Sequence, residues 1–386
     1  WTPDGGTQPF SANFCQDAFL LPLFVSNDKV VTGGHTFRWR PDTGMEFFTR
    51  PNNYYGWINA VSADFSVVVG HVATGNHGGI SILKAIRWTS LTDYQYLDDS
   101  YFRSDAVDVS HDGTVVAGWV QSSTGSYSVF RWTEAGLQVL GAPSGYTNAI
   151  ATAISGDGST IIGYAYNDDR RRLMRPFRWT EAGGFEMLAP GDATVGFYPA
   201  AVSSNGSVII VKKDFANTDE ALLRWTNTSG LQEIGKTPNN SSAVMSADGS
   251  VIVWVGKNTS GDWGLHRWTE CATENLTDRF NTLFTTEFGE NYMIEAVDAI
   301  SPDGRYITGH AADDSTTLGF WLEAPLCAAH NGDVDNNGCV DDADLLTILF
   351  QFGQEGQCLG RVDVNCDDMV DDADLLIVLF NFGSGC

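Results

Sequence analysis

Along residues 1–325 the apolar positions fall in short alternating runs, too brief for helices and punctuated by Gly, Asp and Asn. One signal is a hairpin of the form Val-Ser-x-Asp-Gly-x-Val-Val-x-Gly. It is plain at residues 109–118, 154–163 and 300–309, readable at 61–70, 202–211 and 245–255, and degenerate at 25–33. Alternation of period two predicts strands with one buried face, and Asp-Gly supplies the positive φ that a tight reversal needs. A second signal is a strand ending in Trp, seen at Phe37-Arg38-Trp39, Ile86-Arg87-Trp88, Phe130-Arg131-Trp132, Phe177-Arg178-Trp179, Leu223-Arg224-Trp225, His266-Arg267-Trp268 and Gly319-Phe320-Trp321. From Trp1 onward these Trp residues lie 38 to 53 residues apart. A period of about 45 residues built of short strands is propeller spacing. One repeat reads as strands over 149–155, 160–163, 176–179 and 184–188. The chain therefore predicts a mainly β fold, a seven-bladed β-propeller of four-stranded antiparallel blades over residues 1–325. The Trp rings are expected to pack between blades with Arg stacked nearby. An insertion at 273–293 carries a short helical stretch around 276–284. Trp1 and Trp321 share one phase of the repeat, so a strand near 7–14 is expected to complete the last blade or to pair with a neighbouring molecule. Cys15 and Cys271 follow the Trp of adjacent units in the closed ring, which predicts a disulfide latch between them.

The pattern changes at residue 326. Two twelve-residue stretches, 333–344 and 363–374, align at an offset of 30 residues and alternate oxygen-bearing side chains with spacers. Calcium takes six to eight oxygens at about 2.3–2.6 Å, and alternate positions of a tight loop turn them inward. Positions 1, 3 and 5 offer Asp333, Asp335 and Asn337 in the first loop and Asp363, Asn365 and Asp367 in the second. Position 7 offers the backbone carbonyls of Cys339 and Met369. Asp341 and Asp371 at position 9 are expected to act through water, and Asp344 and Asp374 at position 12 as bidentate groups on the first turn of a helix. Two calcium ions follow. Val340 and Val370, at position 8, are expected to tie the loops to each other. Gly338 at position 6 suits a left-handed turn, whereas Asp368 tolerates it less well, so the second site is expected to be weaker. A merely acidic, solvated segment would not alternate ligand and spacer twice. Helices are predicted over 344–352 and 374–382. A face of Leu345, Leu349 and Phe352, mirrored by Leu375, Leu379 and Phe382, is expected to pack the halves together, with Leu346, Phe350, Leu376 and Phe380 on another face.

These motifs carry two resemblances. The alternation of Phe-Arg-Trp strands with Ile-Ser-x-Asp-Gly hairpins resembles the bacterial "probable extracellular repeat" (HAF-type) sequences across residues 1–325, which implies the propeller fold and export. The paired loops, each ending in Asp followed by Leu-Leu and each leading into one helix, resemble the type I dockerin pattern across residues 326–386. That resemblance implies a small α-helical dockerin-like domain with two EF-hand-like calcium loops, and a protein partner. In dockerins the partner is a cohesin domain, chosen by loop-end positions that are here Asp341-Asp342 and Asp371-Asp372. The family's usual Ser/Thr pair is absent, which shifts the expected partner toward neighbouring copies of this chain. The function implied is that of a structural or adhesive protein building a filament or surface lattice. The alternative is a carbohydrate-active propeller, a glycoside hydrolase or glycan binder attached to a cohesin scaffold, with a polysaccharide as ligand.

Composition narrows the field further. A formal charge of −26 over 386 residues argues against nucleic acid or an anionic membrane surface as partner. No run approaches the roughly 18 apolar residues of a membrane-spanning helix. Residue 1 is Trp, and the chain is expected to be a mature one, freed of its export signal and located outside a bacterial cell or on its surface. Five of the seven cysteines (Cys327, Cys339, Cys358, Cys366 and Cys386) lie in the tail, which points to disulfides and an oxidising compartment. The odd total leaves one thiol free or available to another chain. Residues 230–237 read Gly-Leu-Gln-Glu-Ile-Gly-Lys-Thr and match a phosphate-binding loop. Repeat register places that segment on an outer strand, and Pro238 follows where a helix would be required. Gly-x-Ser-x-Gly, His-Glu-x-x-His and Gly-x-Gly-x-x-Gly are all absent, and the seven His lack ligand spacing. No catalytic residue is assigned.

Overall fold

The computed structural model describes residues 22–25, 31–33, 36–40, 42–51, 55–167, 173–189, 195–213, 220–238, 243–261, 263–288, 292–312, 317–324, 330–335, 337–356 and 358–386. The chain divides into two compact units, Trp1–Asn240 and Ser241–Cys386. Among the described residues the first unit holds five successive sets of four antiparallel strands, each set ordered as in the chain. The repeat anticipated over 149–188 forms strands Asn148–Ile154, Thr160–Tyr166, Arg175–Thr180 and Gly184–Met187. The apparent phosphate loop is the strand Gly230–Thr237, paired along its length with Glu220–Thr226. The expected strand near 7–14, with Trp1, Cys15 and Cys327, lies outside the described residues.

Each set of strands buries one face against the next set. Val67, Val69 and Ala85 of one meet Val116, Val120, Phe130 and Trp132 of its successor, and Ala117 and Val129 of that set meet Ile154, Ile161 and Phe177 of the following one. The core is thus a series of apolar layers. The Trp of the repeat closes each layer, with Trp88, Trp132, Trp179 and Trp225 all buried. Arg87 lies 5.3 Å from the Trp132 ring and Arg178 lies 5.1 Å from the Trp225 ring, so the Arg of one repeat stacks on the Trp of the next.

The hairpin turns explain the recurring Ser-x-Asp-Gly. Ser62 Oγ donates to Asp64 Oδ1 at 2.7 Å and accepts the Val67 N–H at 3.0 Å. Ser110 and Ser155 do the same with Asp112 and Asp157. The N–H of Ser66 and the Ser62 hydroxyl hold the Asp64 carboxyl down at about 2. Glycine then meets two demands at once. Gly113 has φ of 73°, and a Cβ there would lie 2.6 Å from Cγ2 of Val67 in the preceding set. Gly158 repeats this with φ of 71° and Val115 at 2.9 Å. The same turns are linked in series. The Ala63 N–H donates to His111 O, the His111 N–H to Gly156 O, and the Asp157 N–H to Ser204 O, at 2.8 to 2.9 Å.

The second unit continues the pattern with strands Ala243–Met245, Ile252–Lys257, Trp263–Trp268 and Thr273–Asn275. Helices α1 (Leu276–Arg279) and α2 (Asn281–Phe288) follow, in the inserted segment. Strands Met293–Ile300, Tyr306–Ala312 and Thr317–Glu323 come next. Leu276 and Phe284 from the inserted helices fill a core with Val253, Leu265, Val297 and Ile307. The tail adds α3 (Asp342–Gln351) and α4 (Asp372–Asn381) around its own small core of Val334, Val340, Ile348, Val362, Val364, Val370 and Val378.

One cysteine pairing differs from the expectation. Cys271 is bonded to Cys358 and not to Cys15. Cys271 sits exposed in the turn that leaves strand Trp263–Trp268, and the connector between the two tail loops brings Cys358 to it. Sequence phase indicated which residues share a repeat position, but not what the tail would place beside them. A second bridge joins Cys339 to Cys386, and Cys366 is also disulfide-bonded.

Candidate metal centres

Each acidic loop is organised before any ion is considered. In the first loop Asp333 Oδ1 accepts the Asn337 N–H at 3.1 Å and Oδ2 accepts the Gly338 N–H at 3.0 Å, curling the backbone around the position-1 carboxylate. Asn337 donates its amide to Asp335 Oδ2 at 3.0 Å. Asp344 closes the loop from the first turn of α3. Its Oδ1 accepts the N–H groups of Val334 and Asp335 at 2.6 and 3.1 Å, and its Oδ2 accepts that of Asp341 at 2.9 Å. Burial alone would raise this carboxyl, but the three backbone donors outweigh it and hold Asp344 below the usual carboxylate range. Asp344 therefore stays ionised although it is fully buried.

The second loop repeats this geometry almost atom for atom. Asp363 accepts the N–H groups of Asp367 and Asp368, and Asp374 accepts those of Val364, Asn365 and Asp371. In the first loop the carboxylates of Asp333, Asp335 and Asp344 offer oxygens within 4.8 Å of one another. In the second, Asp363, Asp367 and Asp374 do so. Asn365 at position 3 donates to Asp367 Oδ2 at 2.9 Å, so the amide and the carboxylate have exchanged positions between the loops. Three hard anionic oxygens converging in a loop of this length suit a divalent cation that prefers oxygen, and the donor set fits calcium. Asp341 and Asp371, read from the sequence as position-9 groups, are the N-caps of α3 and α4 in reciprocal capping boxes with Asp344 and Asp374. Cys339 and Met369 hold position 7 on the rim of each loop. Cys339 is tied there by its disulfide, and Met369 bridges to Glu355.

Position 6 differs as the sequence anticipated. Gly338 takes φ of 92°, and Asp368 takes φ of 67°, a left-handed conformation that costs a non-glycine residue on the order of 1 kcal/mol. At position 8, Val340 and Val370 meet in the shared tail core, and the backbone of each is bonded elsewhere. The Val370 N–H donates to Gln354 O and the Gly353 N–H to Val370 O, while the Val340 N–H donates to Ser384 O and the Gly383 N–H to Val340 O. Each loop is thus strapped by the segment leaving the other loop's helix.

The helices also roll differently from the sequence reading. Ile348 and Val378 are buried, Leu345 and Leu375 are half-buried, and Leu349, Phe352, Leu379 and Phe382 are exposed. Asp344 must face its loop, and that fixes the rotation of α3, so the residue four positions on, Ile348, faces the core and Leu349 does not. Leu346, Leu349, Phe350 and Phe352 stand on the surface, as do Leu376, Leu379, Phe380 and Phe382. Phe350 and Phe380 are each 84% exposed. Twelve carboxylates and a single guanidinium, Arg361, occupy residues 327–386 around them. Among the described residues no helix is long and apolar enough to cross a membrane.

No known family model matches the chain, and no curated protein matches it. Among solved structures it is similar to an oligogalacturonate lyase from Vibrio parahaemolyticus, at 11% identity and a TM-score of 0.47 over 80% of this chain and 90% of that one. The β-propeller domain of the trilobed protease from Pyrococcus furiosus matches at 8% identity and a TM-score of 0.45, over 71% of this chain and 82% of that one. TolB from Acinetobacter baumannii matches at 11% identity and a TM-score of 0.41, over 65% of this chain and only 60% of its own length. At this level of similarity none of them bears on what the chain does.

Proposed function

We propose that this is a secreted structural or adhesive protein whose tail, once loaded with two calcium ions, docks on a protein partner, with neighbouring copies of the same chain as the first candidate. The fold that goes with this reading is a seven-bladed propeller, one blade per repeat, followed by a dockerin-like domain over residues 326–386. The observation that carries the reading is the coupling within the tail. The carboxylates that converge for the ion, Asp344 and Asp374, are the same residues that set the roll of α3 and α4. That roll leaves four large apolar side chains per helix in solvent. Large apolar groups exposed on so small and acidic a module are a docking surface. The ions also offset the repulsion among the clustered carboxylates, so calcium and docking rise and fall together.

Calorimetric titration of the full chain with calcium tests the first half, and light scattering with calcium or with EGTA tests the second. Uptake of two ions is expected, with the loop at 363–374 the weaker. Asp344→Ala removes one of the two ions and Asp374→Ala the other. Higher-order particles in calcium that fall to monomers in EGTA support self-docking. No calcium uptake at millimolar concentrations, or particles indifferent to EGTA, would sink the reading.

A further inference from the structure

The repeat register brings one layer of side chains together in the first unit. Nine residues after the turn serines Ser62, Ser110, Ser155 and Ser203 stand His71, Trp119, Tyr164 and Lys212. On the first strand of each set the residues directly opposite them are Trp57, Asp105, Ile150 and Tyr198. Alternation along the first strands puts Trp57, Asp105, Ile150 and Tyr198 on the half-exposed face while their neighbours are buried. Packing needs only apolar residues at such positions. Here they are aromatic or polar at nearly every step.

The chemistry concentrates where two sets of strands meet. Asp105 Oδ1 accepts Asn59 Nδ2 at 2.7 Å and lies 2.9 Å from His71 Nδ1. Asn59 donates its second amide proton to Ala106 O at 2.8 Å, which fixes the amide orientation. Asp105 Oδ2 and Asn59 Oδ1 are acceptors that bond nothing among the described residues, and His71 Nε2 is likewise unengaged there. Tyr55, 44% exposed, meets the His71 ring edge-on, and Trp119 stands directly opposite Asp105. Arg103, two residues from Asp105, stacks on Trp119 and makes no ion pair among the described residues.

We infer that this strip, centred on Asn59, His71, Asp105 and Trp119, binds a neutral saccharide chain. Two unengaged acceptors beside an imidazole edge call for a ligand rich in donors. The acceptors repel an anion, and Arg103 repels an ammonium group, which leaves neutral hydroxyls. Aromatic faces beside hydrogen-bonding groups match the C–H faces and hydroxyl rims of pyranose rings. A peptide offers equal numbers of donors and acceptors and fits this set less well. The site is independent of the tail, so its fate is separate from that of the docking reading.

The test titrates the full chain with cellohexaose, xylohexaose and mannohexaose, followed by tryptophan emission and calorimetry, with tetragalacturonate and a lysine-rich peptide as controls. At least one neutral oligosaccharide is expected to bind saturably, and Trp119→Ala and Asp105→Asn each weaken that binding at least about tenfold. If either variant unfolds, Trp119→Phe and His71→Gln replace it, with the same direction expected. Binding persists in EGTA. The inference falls if no neutral oligosaccharide saturates below about 10 mM, if binding survives the substitutions in folded protein, if only a control binds, or if EGTA abolishes binding.

Discussion

Asp108 occupies a position where the other hairpins carry Ala60, Ala153, Ala201, Val244 and Ala299. Its carboxylate accepts the Val109 N–H at 2.8 Å and, across to the next set of strands, the Ile154 N–H at 2.9 Å. The side chain keeps a little exposed surface, yet protein surrounds the carboxyl densely, and burial pushes it up to about 6 against the pull of those two donors. A carboxyl raised on folding stabilises the protein fully below its unfolded value near 4, and that contribution is lost as pH rises through 6. Between pH 4.5 and 7 the loss is on the order of 2 kcal/mol. Calorimetric melts of Asp108→Asn should therefore show a flatter dependence over this window than the parent; an identical slope would place the titration elsewhere. The turn aspartates act in the opposite sense. Asp64, Asp112, Asp248 and Asp303 are held low by hydrogen bonds, so their contribution is complete above the ordinary carboxylate range and fades only as pH falls below it. Gly113 gives a sharper test of the turn itself. With positive φ and the Val67 methyl in the way, Gly113→Ala should cost about 1–3 kcal/mol in urea unfolding.

At the scale of elements, the strands and their turns were legible because each local signal agreed with the next: Ser and Asp satisfy one another, glycine turns the chain, and Trp closes the layer. The predicted strand at 160–163 extends to Tyr166, because its far end is held by pairing with Asn148 and Ala149 that no local pattern announces. The clustering of the loop carboxylates was equally legible, since their spacing is written into twelve consecutive residues. The roll of the helices was not, because apolar residues cover nearly the whole circumference of α3 and α4 and only the inward demand of Asp344 and Asp374 selects a face. Two predictions belong to this scale. Phe350→Ser with Phe380→Ser should leave the melting profile within about 0.5 kcal/mol of the parent, since neither ring is packed, while abolishing calcium-dependent assembly. Replacing both Cys271 and Cys358 by Ser should lower the stability of the second unit by up to about 4–5 kcal/mol, the loop-closure term for a bridge spanning 87 residues. The same pair should open the 325–360 region to limited proteolysis; an unchanged cleavage pattern would mean that packing alone holds the tail.

At the scale of the molecule, the first unit is built by repetition and the second combines the repeat with a pair of acidic loops and a disulfide that joins them. Relations of this kind were beyond the reach of the sequence, which states what each segment is but not which segments become neighbours. The Ala63 turn donates an N–H to the His111 turn, which donates one to Gly156, and that turn donates one from Asp157 to Ser204. The repeats carrying the His111 and Asp157 turns therefore offer the same plug and the same socket. Duplication or loss of one of these whole repeats would leave these links satisfied, whereas a break inside one would orphan both ends. Lengthening by a whole repeat thus disturbs fewer of these bonds than an insertion within one.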